Sequence, residues 1–252
     1  MPADESAAPL TASLLDGATG RGVRVAVIDS GVHAGHPHIG AVADGVAVES
    51  MGVIPGAEAS RDRLGHGTAV MAAIQEKAPD ADYVPVKVFH TALRTSAAVL
   101  LRAIDWCVEQ RFDVVNLSLG SPNPAHAEIF GEAARRASAA GVVLVSARDA
   151  NGEACWPGSL PTVISVGLDW DWPRDSYHPE TAGGETVFFA SGYPRPAPGV
   201  PPMRNLHGIS FAVANMSGFV ARACEVVGQG AGQGARLDAV RAQLIRAASG
   251  RS

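Results

Sequence analysis

The stretch Gly208-Ile209-Ser210-Phe211-Ala212-Val213-Ala214 opens an apolar segment that continues to Val227 without a proline. Its hydrophobic residues recur three or four positions apart, and this spacing predicts a buried helix over residues 210–227. A serine in the first turn of such a helix directs its hydroxyl at the positive end of the helix dipole, which suits a nucleophile. Serine is also a favoured N-cap residue, so the position alone leaves both roles open for Ser210.

Length and composition describe a globular chain with a substantial core. The 252 residues suffice for one large α/β domain or two small ones, and the apolar fraction of 47% against 18% charged residues argues against disorder. A formal net charge of −5 and the lack of a Lys/Arg run argue against nucleic-acid binding. No apolar run approaches the roughly 20 residues of a membrane span, so no membrane partner is expected.

The N-terminus and the cysteines indicate where the protein resides. Asp4 and Glu5 stand where a signal peptide would carry basic residues, and no apolar stretch follows them. Three widely separated cysteines fit free thiols in a reducing compartment, so we expect a cytoplasmic protein. Residues 1–21 are expected to form a flexible arm, too short for a propeptide domain, and residues 22–252 a single domain.

Strand and helix patterns alternate along the rest of the chain. Apolar strand patterns at residues 23–28, 114–120 and 142–147 alternate with helical patterns at residues 95–110 and 125–140. Alternation of this kind indicates a mostly parallel sheet covered by helices on both faces.

Three polar residues at the ends of these elements form one chemical pattern. Asp29 follows the first strand, His66 opens a helix between two glycines, and Ser210 opens the late helix. A serine hydroxyl is a weak nucleophile that needs a neighbouring base, and a histidine base needs a carboxylate to fix its tautomer. The sequence therefore predicts a catalytic triad of Asp29, His66 and Ser210.

The segments around these residues resemble the motifs of the subtilisin-like serine peptidases (subtilases). Residues 25–32 (VAVIDSGV) are similar to the aspartate motif, residues 62–68 (DRLGHGT) to the histidine motif, and residues 208–212 (GISFA) to the serine motif. Residues 115–120 (VNLSLG) resemble the strand that lines the substrate groove in that family. Four motifs in the same order are specific, whereas any one alone would be weak.

The resemblance implies a three-layer α/β fold with a mostly parallel, seven-stranded sheet between helices. It also implies a serine endopeptidase that forms an acyl-enzyme and binds an extended peptide beside Ser118, Leu119 and Gly120. No cofactor is implied, and no metal is expected at this site because the helix after His66 lacks the calcium-binding insertion common in the family.

The sequence departs from the family where the oxyanion is bound. The motif that normally ends in an oxyanion-binding asparagine here reads Ser-Ala-Arg-Asp-Ala-Asn over residues 146–151. Motif shape places Asp149 at the asparagine position, ungapped counting places Ala150 there, and Asn151 would serve if the loop shifts. The usual threonine before the serine is Ile209. Asp149 and Asn151 are therefore the candidate oxyanion residues.

Two functions remain open at this stage. The first is a peptidase of narrow specificity that matures a precursor peptide or cleaves one dedicated protein, with a possible activating or substrate-presenting partner. The second is a catalytically weak or inactive binding or regulatory protein on the same scaffold, which the altered oxyanion segment would favour. The intact triad favours the peptidase.

Overall fold

The computed structural model describes residues 15–150, 152–228, 230 and 232–249, with the side chain of residue 233 left aside. Within these residues a nine-stranded sheet forms the centre of the molecule. In chain order, the strands of the whole structure are β1 (Arg24–Asp29), β2 (Val46–Glu49), β3 (Gly52–Pro55), β4 (Asp82–Lys87), β5 (Val114–Leu117), β6 (Val143–Ala147), β7 (Asp149–Ala150), β8 (Glu153–Ala154), β9 (Ile164–Leu168), β10 (Tyr177–Ala182) and β11 (Glu185–Ala190). Strands β7 and β8 form a separate hairpin.

The strand order in the main sheet is β10-β11-β9-β6-β5-β1-β4-β2-β3. Seven of these strands, from β11 to β2 in that order, pair in parallel, which confirms the predicted mostly parallel sheet. The edge strands β3 and β10 pair antiparallel and were not predicted. They alternate only weakly in polarity, since an edge strand needs to bury little of its surface.

Five α-helices cover the two faces of the sheet within the described residues. They are α1 (His66–Lys77), α2 (Ala97–Glu109), α3 (Ala127–Ala139), α4 (Ile209–Val227) and α5 (Arg236–Ser249). Successive residues of β1 enter opposite cores: Val25 and Val27 pack with α1, α4 and α5, whereas Ala26 and Ile28 pack with α2 and α3. The protein therefore has the three-layer α/β architecture expected from the sequence. None of the described helices is both long and apolar enough to cross a bilayer.

Helix α4 is the most deeply buried of the helices and lies against α1. Its residues from Phe211 to Ala221 are all buried, as the apolar spacing predicts. Gly218 allows the two helices to approach closely, because a Cβ at that position would lie 2.5 Å from the Cβ of Lys77. The apolar stretch that opens with Gly208 thus places Ser210 at one end of the central helix.

The described part of the N-terminal segment is packed against the end of α4. Leu15 is fully buried, and Arg222 donates a hydrogen bond to its carbonyl at 2.6 Å. Glu225 accepts hydrogen bonds from the backbone N–H groups of Thr19 (2.7 Å) and Gly20 (2.6 Å). Residues 15–21 therefore differ from the loose arm expected for residues 1–21, because a carboxylate more than 200 positions away satisfies their N–H groups. Residues 1–14 lie outside the described residues.

Candidate active site

Asp29 and His66 form a hydrogen-bonded pair where a strand end meets a helix start. Asp29 is the last residue of β1 and His66 the first of α1, and His66 Nδ1 lies 2.8 Å from Asp29 Oδ1. The side chain of Asp29 is 1% exposed and that of His66 is 12% exposed. The pair is therefore shielded from water, while the imidazole keeps some access to the surface.

A second carboxylate holds the turn that carries His66. Asp62 Oδ1 accepts hydrogen bonds from the N–H groups of Leu64 and Gly65, each at 2.9 Å. Its Oδ2 accepts from the N–H (2.9 Å) and the hydroxyl (2.6 Å) of Thr68. These contacts bracket His66 on both sides, so Asp62 fixes the backbone at the N-terminus of α1.

Ser30 links this turn to the end of β1. Its hydroxyl donates to Asp62 Oδ1 at 2.9 Å and accepts from the N–H of Gly67 at 2.8 Å. A Cβ on Gly67 would lie 2.4 Å from the carbonyl oxygen of Gly31, so only glycine permits this approach. Ser30 therefore holds the strand that ends in Asp29 against the helix that begins with His66.

The surroundings of His66 favour its protonated form. Burial by itself lowers the pKa of His66, but the hydrogen bond and charge of Asp29, together with the charge of Asp62, outweigh burial and raise that pKa above its ordinary value. Asp62 remains ionised, because the hydrogen bonds from Thr68, Leu64 and Gly65 overcome the effect of burial and lower its pKa. An imidazolium formed at His66 is thus stabilised by two negative charges.

Ser210 is the second residue of α4 and makes reciprocal contacts with Ser118. Its hydroxyl donates to the carbonyl oxygen of Ser118 at 3.0 Å, and the hydroxyl of Ser118 donates to the carbonyl oxygen of Ser210 at 3.2 Å. Among the described residues no hydrogen bond joins the Ser210 hydroxyl to His66. The imidazole instead packs on the ring of Phe211, the next residue, at 5.6 Å between centroids. Rotation about χ1 of Ser210 is the movement that would turn its hydroxyl toward His66.

A buried polar chain beneath Ser118 anchors α4 to β5. The side-chain amide of Asn116 donates to the hydroxyl of Ser118 at 2.9 Å, and its oxygen accepts from Ser217 at 3.0 Å. Asn116 and Ser217 are fully buried. The sequence reasoning missed these two residues and the positioning contacts of Ser30 and Asp62. A polar residue inside an apolar strand or helix was the signal available for Asn116 and Ser217.

The predicted groove residues Ser118, Leu119 and Gly120 follow β5 and lie beside a cavity of about 270 Å³ with both polar and apolar lining residues. Leu119 and Gly120 line this cavity, and both are half-buried. Beyond them, Ser121 and Trp156 exchange backbone hydrogen bonds at 2.9 Å. The structure thus brings the predicted groove segment next to Ser210. From there the half-buried residues Leu119 and Gly120 lead to the cavity.

Of the candidate oxyanion residues, Asp149 lies on the β7–β8 hairpin. Asp149 is half-buried, and its Oδ1 accepts a hydrogen bond from the N–H of Gly152 at 3.3 Å. Asn151 lies outside the described residues. Ile209 packs against the core rather than presenting a polar group. The N–H of Ser210 belongs to the first turn of α4, where backbone N–H groups have no partner within the helix.

Neither a reactive thiol nor a metal site is found near Ser210 within the described residues. Cys155 is buried, and burial together with the charges of Asp149 and Glu153 raises the pKa of its thiol. Within the described ranges, no three His, Cys, Asp or Glu side chains are grouped so as to hold a metal ion.

Fold and site together define a three-layer α/β protein in which a carboxylate–histidine pair lies beside a serine at a helix start. The sequence model of the subtilase family matches residues 20–251, and the chain belongs to that family.

Individual relatives agree with this assignment. Subtilisin Savinase of Lederbergia lenta is 30% identical over 217 residues, which cover 81% of this chain and 77% of that protein. An alkaline protease of Alkalihalobacillus alcalophilus is also 30% identical over 81% of this chain, but the chain spans only about half (54%) of that protein's length. A solved lanthipeptide protease superposes with a TM-score of 0.62 at 20% identity, covering 81% of this chain and 73% of that one, which shows the shared fold.

Proposed function

We propose that the protein is a serine endopeptidase in which Ser210 is the nucleophile, His66 the general base and then acid, and Asp29 the orienting carboxylate. The observation that carries this proposal is the 2.8 Å hydrogen bond between His66 and buried Asp29, formed beside the first turn of the helix that carries Ser210. Membership of the subtilase family supports the same assignment.

The chemistry proceeds in two halves. The Ser210 oxygen attacks the carbonyl carbon of the peptide bond while His66 Nε2 takes the hydroxyl proton. The tetrahedral intermediate then collapses: the C–N bond breaks, and His66 gives the proton to the leaving amine. A water molecule, deprotonated by His66, attacks the carbonyl carbon of the resulting ester; the C–Oγ bond then breaks, the carboxylic acid product leaves, and His66 returns the proton to Ser210 Oγ. Throughout, Asp29 holds Nδ1–H and stabilises the imidazolium.

The oxyanion of each tetrahedral intermediate needs hydrogen-bond donors. The N–H of Ser210 is one donor, since it points out of the N-terminus of α4. The second comes from the segment 149–151, where a protonated Asp149 or the amide of Asn151 would donate. An ionised Asp149 would repel the oxyanion, which makes slow turnover on general substrates the expected behaviour.

The substrate is a peptide or protein that binds in extended form beside Ser118, Leu119 and Gly120. We place the enzyme in the cytoplasm, because Cys107, Cys155 and Cys224 are all free and buried. Narrow specificity, such as maturation of a precursor peptide or cleavage of a dedicated partner, fits the unusual oxyanion segment. A substrate-presenting or activating protein would supply further selectivity.

Two observations favour a second function, that of a binding or regulatory protein with little catalysis. The Ser210 hydroxyl donates to the carbonyl of Ser118, and a carboxylic residue stands on the oxyanion hairpin. In this alternative the groove would bind a peptide without cleaving it.

Labelling with a fluorophosphonate probe distinguishes the two functions. We expect the wild type to be labelled and both Ser210→Ala and His66→Ala to lose labelling, with turnover of a cleaved peptide falling about 10⁶-fold. Lys77→Met, at the far end of α1 from His66, is the control substitution and should keep wild-type labelling. Folded wild type that neither reacts with the probe nor cleaves any peptide would refute the peptidase proposal and leave the binding protein.

A further inference from the structure

A second cavity, of about 540 Å³, opens next to the turn that carries His66. The turn contributes Gly65, Asp62 and Thr68 to its wall, and the segment before Ser210 contributes Leu206 and Asn205. The small side chains of Ala69 and Ala72 leave the space open. The cavity near Leu119 and Gly120 shares no lining residue with this one. Two separate cavities therefore lie near the site, one lined by the turn before His66 and the other by Leu119 and Gly120.

The polar groups in the second cavity are mainly basic. Arg195 is half-buried, and Nη1 donates to the carbonyl oxygen of His38 at 3.2 Å. Within the described part of the chain, its guanidinium forms no ion pair with a carboxylate. The imidazoles of His33, His36 and His38 complete this side of the wall. Asp62 also lines the cavity, but its two oxygens already accept five hydrogen bonds. The charged group of the cavity that can still bind a ligand is thus the guanidinium of Arg195, a cation.

The rest of the wall is apolar and stiff. Pro37, Pro194, Pro198 and Leu206 lie around Arg195, and proline restricts the backbone that carries it. A guanidinium in such surroundings binds a carboxylate more strongly than one in open water, because the local dielectric is lower. The shape and charge suit an acidic side chain whose methylene groups contact the prolines.

The mechanism indicates which part of a substrate would reach this cavity. Ser210 contacts Ser118 directly, so the acyl side of a bound peptide lies along Ser118, Leu119 and Gly120. His66 must protonate the leaving amine, and the leaving side therefore continues past His66. Gly65 precedes His66 and lines the second cavity. The chain beyond the cleaved bond is directed toward Arg195.

We propose that Arg195 is a specificity-determining residue that binds an aspartate or glutamate side chain of the substrate, a few residues beyond the cleaved bond. This proposal rests on the peptidase function proposed above, and it adds the chemistry of the leaving segment. A protein or precursor with an acidic segment after its cleavage site would be the preferred substrate.

Cleavage-site mapping on a proteome-derived peptide library tests the proposal. With the wild type we expect Asp and Glu to be enriched at one position on the leaving side. Arg195→Gln should remove the enrichment, and Arg195→Glu should replace it with Lys and Arg. Arg204→Gln is the matched control, because Arg204 is exposed on the same segment and does not line the cavity. The control should keep the acidic preference.

Matched peptides make the test quantitative. At the enriched position, Glu→Gln in the peptide should lower kcat/KM about tenfold with the wild type and leave it unchanged with Arg195→Gln. Equal kcat/KM for the two peptides with the wild type would overturn the proposal. The proposal would also be overturned if kcat/KM rose with a free C-terminal carboxylate on the peptide and not with the acidic side chain. Cleavage without acidic preference refutes only this inference, whereas loss of all cleavage and probe labelling refutes the peptidase function as well.

Discussion

The turn before His66 and the hairpin after β6 each carry an aspartate, and the surroundings of the two aspartates differ strongly. Asp62 is buried and accepts five hydrogen bonds, four from the turn and the start of α1 and one from Ser30. Asp149 is half-buried, and the one hydrogen bond described for its side chain is 3.3 Å long. The turn next to the proposed proton-transfer pair is thus held by many hydrogen bonds to one carboxylate, whereas Asp149 on the proposed oxyanion hairpin accepts a single long one. On the proposed mechanism, a change at the hairpin would alter the rate while leaving the hydrogen bond between Asp29 and His66 in place.

Outside His66 and Ser210 themselves, the largest effect is expected from Asp29→Asn, which changes the aspartate–histidine pair next to the turn of Asp62. An amide in this place would no longer stabilise the imidazolium and would favour the wrong tautomer of His66. We expect kcat on a cleaved peptide to fall about 10⁴-fold at pH 8 while the fold is retained. Steady-state kinetics and the rate of fluorophosphonate labelling measure the loss.

Asp82→Asn is the control for this experiment. Asp82 is exposed at the start of β4, the strand that pairs with β1, so the change removes a charge from the same sheet away from the site. The control should retain wild-type kcat. A loss of less than tenfold in Asp29→Asn would contradict the role given to this carboxylate.

The role of the β7–β8 hairpin is tested by Asp149→Asn, which replaces a carboxylate by a neutral amide donor. If residue 149 faces the oxyanion, the amide hydrogen bond should raise kcat at pH 7.5 by about 10²-fold, the size of one such donor. Glu153→Gln removes a charge from the same hairpin and should change kcat less than twofold. A fall in kcat with Asp149→Asn would mean that the carboxylate itself is required, and that the hairpin binds the intermediate in another way.

The same contrast explains how far the sequence predicts the fold. Helix α4 and strands β1 and β6 are buried on most sides, so their apolar patterns are strong and their predicted positions agree with the structure. Strand β10 reads Tyr-His-Pro-Glu-Thr-Ala and lies at a sheet edge, where no apolar pattern is required. Its pairing depends on the turn at Gly183 and Gly184, both with positive φ, and on a partner strand.

The site divides in a similar way. The partnership of Asp29 with His66 follows from chemical need, because a histidine base requires a carboxylate, and the structure brings the two within 2.8 Å. The contacts of Ser30 with Asp62 and Gly67 did not follow, because they join residues 32 and 37 positions apart that meet only after folding. The partner of the Ser210 hydroxyl, the carbonyl of Ser118, lies 92 positions away and has no signature in the sequence.

The test with the smallest expected effect is Asp62→Asn, which keeps the size of the side chain, removes its charge and replaces one accepting oxygen by an NH2 group. The charge of Asp62 contributes to the raised pKa of His66, so its loss should lower that pKa. Because kcat/KM requires neutral His66, the midpoint of its acidic limb should move to lower pH. A looser turn should also reduce the plateau of kcat/KM about tenfold.

Thr68→Val is the matched control for Asp62→Asn, since it removes one hydrogen bond to Asp62 but keeps the carboxylate charge. Both variants should lose stability, by about 1–2 kcal/mol in urea unfolding. A merely structural role for Asp62 would give the same pH midpoint in the two variants. A midpoint that falls only in Asp62→Asn shows that Asp62 raises the pKa of His66 as well as holding the turn. The well-bonded turn would then have an electrostatic role that the hairpin of Asp149 lacks.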